Sequence, residues 1–266
     1  MIIRTHAARR SELLYIAMLG LLMYQGDAVA ADFTTGLYAD IEYTTGDYGG
    51  DASVDELYVP VTLVLDVERV SLRVTVPFLS VTAPELTYVD GPDGQPIVGE
   101  GPETTESGLG DVLVAMTVLD VLSSSGGAFA VDLTGKIKFG TADPDKGLGT
   151  GETDYALQAD VFRFFDRLTM AGTAGYWLRG DPPGYDLENT FFVSAGGSYA
   201  MTDDLRAGLF YDFRESAIPD SDSIQELSGW VNLRLGNHLR TQVYLLAGFG
   251  DSSPDWGAGL SIGGSF

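Results

Sequence analysis

Apolar and polar side chains alternate with a period of two, segment after segment. Leu37, Ala39, Ile41 and Tyr43 are apolar, and the more polar Tyr38, Asp40 and Glu42 lie between them. Leu57, Val59, Val61, Leu63 and Leu65 repeat the pattern, followed by Val70, Leu72, Val74, Val76 and Phe78 against Ser71, Arg73 and Thr75. Val112, Val114, Met116 and Val118 come next. Phe129, Val131, Leu133, Ile137 and Phe139 then alternate with Ala130, Asp132, Thr134, Lys136 and Lys138. Period two sustained over about ten residues predicts a strand with one apolar face. Further strands begin near Asp154, Leu168, Asn189, Leu205, Ser223, Leu239 and Trp256, which makes about twelve. No segment after the first thirty residues has the 18 or more apolar residues that a spanning helix requires.

The connections alternate in length. Those at 44–55, 79–110, 140–153, 180–188, 215–222 and 250–255 are long and polar. Asp66–Arg69, Phe165–Arg167, Ala200–Asp204 and Gly236–His238 are tight, and Asp120–Gly127 is a longer Ser/Gly-rich turn. Long loops on one side and short turns on the other are the arrangement of an outer-membrane barrel, and an even strand number puts both termini in the periplasm. Aromatic residues mark the two expected interfaces: Tyr43, Phe78, Phe139, Tyr155, Tyr176, Phe191, Phe213, Phe249 and Trp256 toward the outer ends, Phe129, Phe165, Tyr199 and Phe266 toward the inner. Pro60 and Pro77 fall inside strand patterns, and each removes one ladder donor. The expected fold class is thus all-β, a transmembrane antiparallel barrel of about twelve strands.

The first thirty residues form a separate unit. Arg4, Arg9 and Arg10 precede an apolar run from Leu13 to Tyr24, and Ala28-Val29-Ala30 is a small-x-small cleavage site. The run is shorter than the roughly 20 residues of a spanning helix, so residues 1–30 read as a cleaved signal peptide and 31–266 as the barrel. Composition agrees. Glycine is high, at 34 of 266 residues, which disfavours a helical protein. The chain has no cysteine, which excludes disulfides and thiol chemistry, and a net charge of −23, which excludes a nucleic-acid partner.

Several stretches resemble a family of outer-membrane barrels named for the MetA pathway of phenol degradation. Val70-Ser-Leu-Arg-Val-Thr-Val-Pro-Phe-Leu-Ser-Val81 resembles its early strand ending in a Pro-aromatic pair. Gly108-Leu-Gly-Asp111 resembles its Gly-x-Gly-Asp opening of the next strand. Lys138-Phe-Gly-Thr141 and Lys146-Gly-Leu-Gly-Thr-Gly-Glu-Thr-Asp-Tyr155 resemble its most distinctive loop, although Ala142-Asp143 stands where the family has Gly-Asp. The resemblance implies a transporter of small compounds, aromatic or hydrophobic ones among them, and carries over no catalytic residue. The terminal Phe266, after a strand that starts at Trp256, resembles the signal read by the barrel-assembly machinery.

The chemistry available is limited. His6 is lost with the leader and His238 lies in an inner turn, so no histidine stands near the outer face, where barrel hydrolases build their sites; an enzyme is not expected, and no cofactor is implied. The long loops are acidic. Asp143, Asp145 and Glu152, with Asp154 nearby, form a weak calcium candidate of unfamiliar spacing. Alternation points Arg73, Lys136, Lys138, Arg179, Arg206, Arg214, Arg234 and Arg240 into the lumen. Asp40, Glu42, Asp132, Asp160, Asp212 and Glu226 point the same way, as do Phe162, Trp177, Phe192, Phe210, Trp230 and Tyr244. Arg206, Arg234 and Arg240 gather at the inner end with no inward acid at their level on their own strands. Two functions fit: a passive uptake channel, or a structural or interaction barrel with a closed lumen that acts through its acidic extracellular loops. The expected partners are outer-membrane lipid and lipopolysaccharide, the assembly machinery and a small-molecule solute.

Overall fold

The computed structural model describes residues 33–85, 87–89, 95–124 and 126–266; the expected signal peptide lies outside them. The strands are β1 (Phe33–Gly46), β2 (Val54–Val67), β3 (Val70–Pro84), β4 (Glu103–Leu109), β5 (Val112–Ser123), β6 (Phe129–Phe139), β7 (Asp154–Phe165), β8 (Leu168–Leu178), β9 (Thr190–Ala200), β10 (Leu205–Arg214), β11 (Ile224–Leu235), β12 (Leu239–Gly248) and β13 (Trp256–Ser265). All pairings are antiparallel between ring neighbours, and β13 pairs with β1, which closes the sheet. β4 and β5 both pair with β3, one above the other, and occupy a single wall position. The ring therefore has twelve strands, as the alternation predicts. Closure leaves no unpaired edge, and at 10 to 15 residues most strands are long enough to cross a bilayer at a tilt.

The two prolines account for two irregular places in the wall, on either side of the β2–β3 pair. Pro60 and Pro77 are partners across β2 and β3, so each turns its donor-less nitrogen toward its other neighbour. On the β1 side the ladder lapses between Ala39↔Val61 and Glu42↔Tyr58. On the other side it lapses where β4 passes into β5, bridged by Gly110 N–H donating to the Pro77 carbonyl at 2.9 Å. The expected loop 79–110 needs correction: β3 runs on to Pro84 and β4, from Glu103 to Leu109, returns beside it, so both ends of that stretch are strand. Alternating Glu-Thr-Thr-Glu-Ser offers no apolar face to announce β4, whose residues are mostly exposed.

The barrel is inverted relative to a soluble protein. On β7, Tyr155, Leu157, Val161 and Phe165 are exposed, and Asp154, Ala156, Gln158, Asp160, Phe162 and Phe164 are buried. The outward Leu157 is 67% exposed while the inward Asp132 is 0%. A belt of exposed Leu, Val and Ile this extensive has no place in water and matches hydrocarbon. Tyr43, Phe78, Phe139, Tyr155, Tyr176, Phe191, Phe249 and Trp256 face outward at one rim, and Phe165, Tyr199 and Phe266 at the other. The rim of long connections is called the loop end below, the other the turn end.

Candidate functional site: the lumen and the loop that narrows it

The inner wall is built on ring-over-glycine pairs. Tyr38 lies directly opposite Gly263 in the ladder, Tyr244 opposite Gly259, Trp230 opposite Gly208, Phe210 opposite Gly196 and Phe192 opposite Gly175. A methyl group at any of these glycines would collide with the ring across from it. Each ring therefore occupies the space that the absent side chain leaves at the wall. Trp177 and Phe162 lie opposite the small Ala156 and Ala130. One aromatic cluster, of Phe162, Phe164, Phe210 and Trp230 with Ala171 and Tyr244 at its margin, joins strands that are not ladder neighbours.

The charged positions alternate as the sequence predicts, and most carry partners. Lys138 on β6 and Asp154 on β7 are ladder partners, with Nζ and Oδ2 2.8 Å apart. Arg179 Nη1 approaches the same oxygen at 3.4 Å, and Gly180 N–H donates to Asp154 Oδ1 at 2.8 Å. Lys138 also reaches Asp111 Oδ2 at 3.5 Å, and every side chain in this network is at most 8% exposed. Arg214 binds Glu226 at 2.8 Å, and Tyr244 donates its hydroxyl to Glu42 across the bare Gly259. Asp132 Oδ1 accepts from Asp120 N–H at 2.7 Å, pinning the β5 bulge, where Asp120 has φ +57. Asp160 accepts from Gln158 and from Thr173 at 2.7 Å.

The arginines of the turn end come together as expected: Arg234 and Arg240 are ladder partners, and Arg206 stands one strand away on β10. Arg206 donates to Ser198 at 3.0 Å, and Arg240 is buried. The nearby acid comes from a turn, not a strand: Asp204 lies 3.9 Å from Arg234. Asp212, higher on β10, is buried opposite Glu226.

At the loop end, segment 140–153 folds onto the inner wall, and the Gly-rich motifs make this possible. Leu148 is buried with Val54, Tyr58, Leu79, Val81, Val89 and Ala142. A side chain at Gly147, which has φ +68, would strike the Thr87 carbonyl, and one at Gly140 would strike the Gly151 carbonyl. Asp111 Oδ1 accepts from the N–H groups of Thr141 and Ala142, each at 2.8 Å, while the other carboxylate oxygen faces Lys138. The strand break after Gly110 thus puts one carboxylate where it can hold both the loop backbone and the lumenal cation. Periodicity cannot reveal Asp111 as such a hub, because its role arises from the break; the short Gly-x-Gly-Asp motif is the one sequence signal for it.

The suggested calcium ligands do not converge. Asp143 caps a short 3₁₀ turn by accepting from Asp145 N–H, and Asp154 is taken by Lys138 and Arg179. Among the described residues no group of three or more acids or histidines is placed to hold a metal ion. His238 sits in the turn between β11 and β12 with Nδ1 3.2 Å from the Ser265 carbonyl, at the rim away from the acidic loops.

Comparison with known proteins places this geometry. The chain resembles the COG4313 outer membrane channel from Pseudomonas putida F1, with a TM-score of 0.67 at 15% identity, covering 92% of this chain and 100% of that one. It also resembles the NanC porin, with a TM-score of 0.54 at 10% identity over 86% of this chain and 98% of that one. The KdgM porin follows with 0.51 at 9% identity, over 86% and 99%. At these identities the likeness establishes the fold. No curated protein matches the chain. A closed barrel of this form, apolar outside, is a protein of the outer membrane. The family model for the MetA-pathway of phenol degradation matches residues 54–263, nearly the whole barrel, and the chain belongs to that family.

Proposed function

We propose that the protein is a passive outer-membrane channel for small molecules, aromatic or hydrophobic compounds among them, with its long loops outside and both termini in the periplasm. The observation that carries this reading is the inner wall: large rings lodge over the glycines opposite them and give the lumen an aromatic lining. The mixed charge around the lumen and the inward loop 140–153 support passage that is narrow and selective by size and charge. The family description and the porin-like fold agree with it.

The buried loop favours one second reading, a structural barrel closed at the loop end and acting through its acidic loops. Swelling of proteoliposomes in isotonic solutions of small solutes separates the two. The channel reading predicts swelling with solutes up to the size of a monosaccharide or a substituted benzene. Swelling no faster than in empty liposomes for every solute would leave the closed barrel.

A further inference from the structure

Lys136 and Lys138 are two residues apart on β6 and face the same way, yet their surroundings differ. Lys138 is opposite Asp154 and forms an ion pair with it. Lys136 is flanked by Ala156 on one neighbouring strand and Ala115 on the other. Its ammonium lies 5.7 Å from the ring centre of Trp177 and 5.4 Å from that of Phe192, and has no hydrogen-bond or ion-pair partner among the described residues. Asp160 is the acid whose charge it feels, but that carboxylate is occupied by Gln158 and Thr173 and also faces Arg73. Leu113 completes an apolar surround with the two rings and Ala156. The rings orient the ammonium but return less to it than a carboxylate would, because a ring quadrupole is a weaker counter-charge than an anion.

We propose that Lys136 is an anion-binding station within the lumen, and that it takes the carboxylate of a small apolar acid of the benzoate class. The ammonium donates to the carboxylate, and the apolar body of the solute lies against Leu113 and Ala115. Two features favour an organic anion over chloride. The surround is apolar, and it offers one charged donor instead of the several N–H groups that would rehydrate an inorganic ion. Lys138, Arg179 and Arg214 are each matched by a carboxylate and are not available for this task. The proposal rests on the channel reading for its physiological sense, but binding can be measured without it.

The test is calorimetric titration of the refolded full barrel in detergent with sodium benzoate, benzyl alcohol and sodium chloride. It is repeated on Lys136→Met and Lys136→Arg, with heat-modifiable gel migration confirming that each variant is folded. The expected result is saturable binding of benzoate and far weaker binding of the other two. Lys136→Met should lose at least about tenfold in affinity, as expected for a lost charge-assisted bond, while Lys136→Arg keeps most of it. Equal benzoate affinity in folded wild type and Lys136→Met overturns the proposal, and so does chloride binding as tightly as benzoate. Failure of Lys136→Met to fold leaves the comparison to Lys136→Arg and to the chloride competition, either of which can still refute it. Benzoate binding without bilayer conductance would keep the site and remove the channel; conductance without benzoate binding would do the reverse.

Discussion

At the scale of single residues, the carboxylate of Asp154 has the most to lose. It is buried, it faces Lys138 and Arg179, and Gly180 N–H points at it. Removing one member of a buried charge network leaves the others uncompensated, at a cost of about 3–5 kcal/mol. Asp154→Ala should lower the temperature at which the barrel loses its compact gel migration, and Lys138→Met should restore part of the loss in the double variant. Independent, additive effects would show that the two charges do not interact. The glycines under the rings give a second prediction. Gly208→Val forces its side chain into Trp230 and should cost about 1–3 kcal/mol, as overpacking does. Gly229→Ala, where the nearest atom stands 3.6 Å from the new carbon, should be tolerated in the same melting measurement. Equal stability of the two variants would contradict the packing described here. The direction of each charged residue was legible in the sequence because period two needs nothing beyond neighbours. The partners were not. Whether Lys138 or Lys136 meets a carboxylate depends on ladder register between strands joined by a fourteen-residue loop, and a one-residue shift would exchange Asp154 for a neighbour facing the lipid.

At the scale of elements, strand existence and facing follow from alternation wherever one face meets lipid. Val243 is 54% exposed and its neighbour Gln242 8%. Val243→Arg should impair folding into lipid vesicles by about 2–4 kcal/mol, the cost of arginine near mid-membrane, with Gln242→Arg milder. Equal damage at both would refute the facing of β12. The element that alternation could not show is β4, whose polar run carries no apolar face because it stands beyond the belt of lipid-facing residues. Its companion feature, the break at Gly110-Asp111, was legible as two prolines and a Gly-rich motif but not as a single interrupted strand. The last element closes the ring: Phe266 and Thr35 exchange both backbone hydrogen bonds. Deleting Phe266 removes one rung at the strand end, and we propose that its exposed ring also serves the assembly machinery. The deletion should therefore lower the amount of barrel inserted in cells more than it lowers the melting temperature of what is inserted. A yield equal to wild type, measured in outer-membrane fractions, would contradict that role.

At the scale of the whole molecule, the barrel lines its interior with rings lodged over glycines and folds one loop inward. Leu148 and the Asp111 carboxylate anchor that loop, so its position is a property of packing and not of a tether alone. The central claim is that the lumen conducts and that segment 140–153 sets its narrowest passage. The most direct measurement is the single-channel conductance, in planar bilayers, of the refolded wild type beside a variant in which residues 142–151 are replaced by a short Gly-Ser turn. The account predicts discrete openings in both proteins and a larger unit conductance in the variant. Silence from both, in bilayers where heat-modifiable, folded barrel is shown to be present, would contradict it.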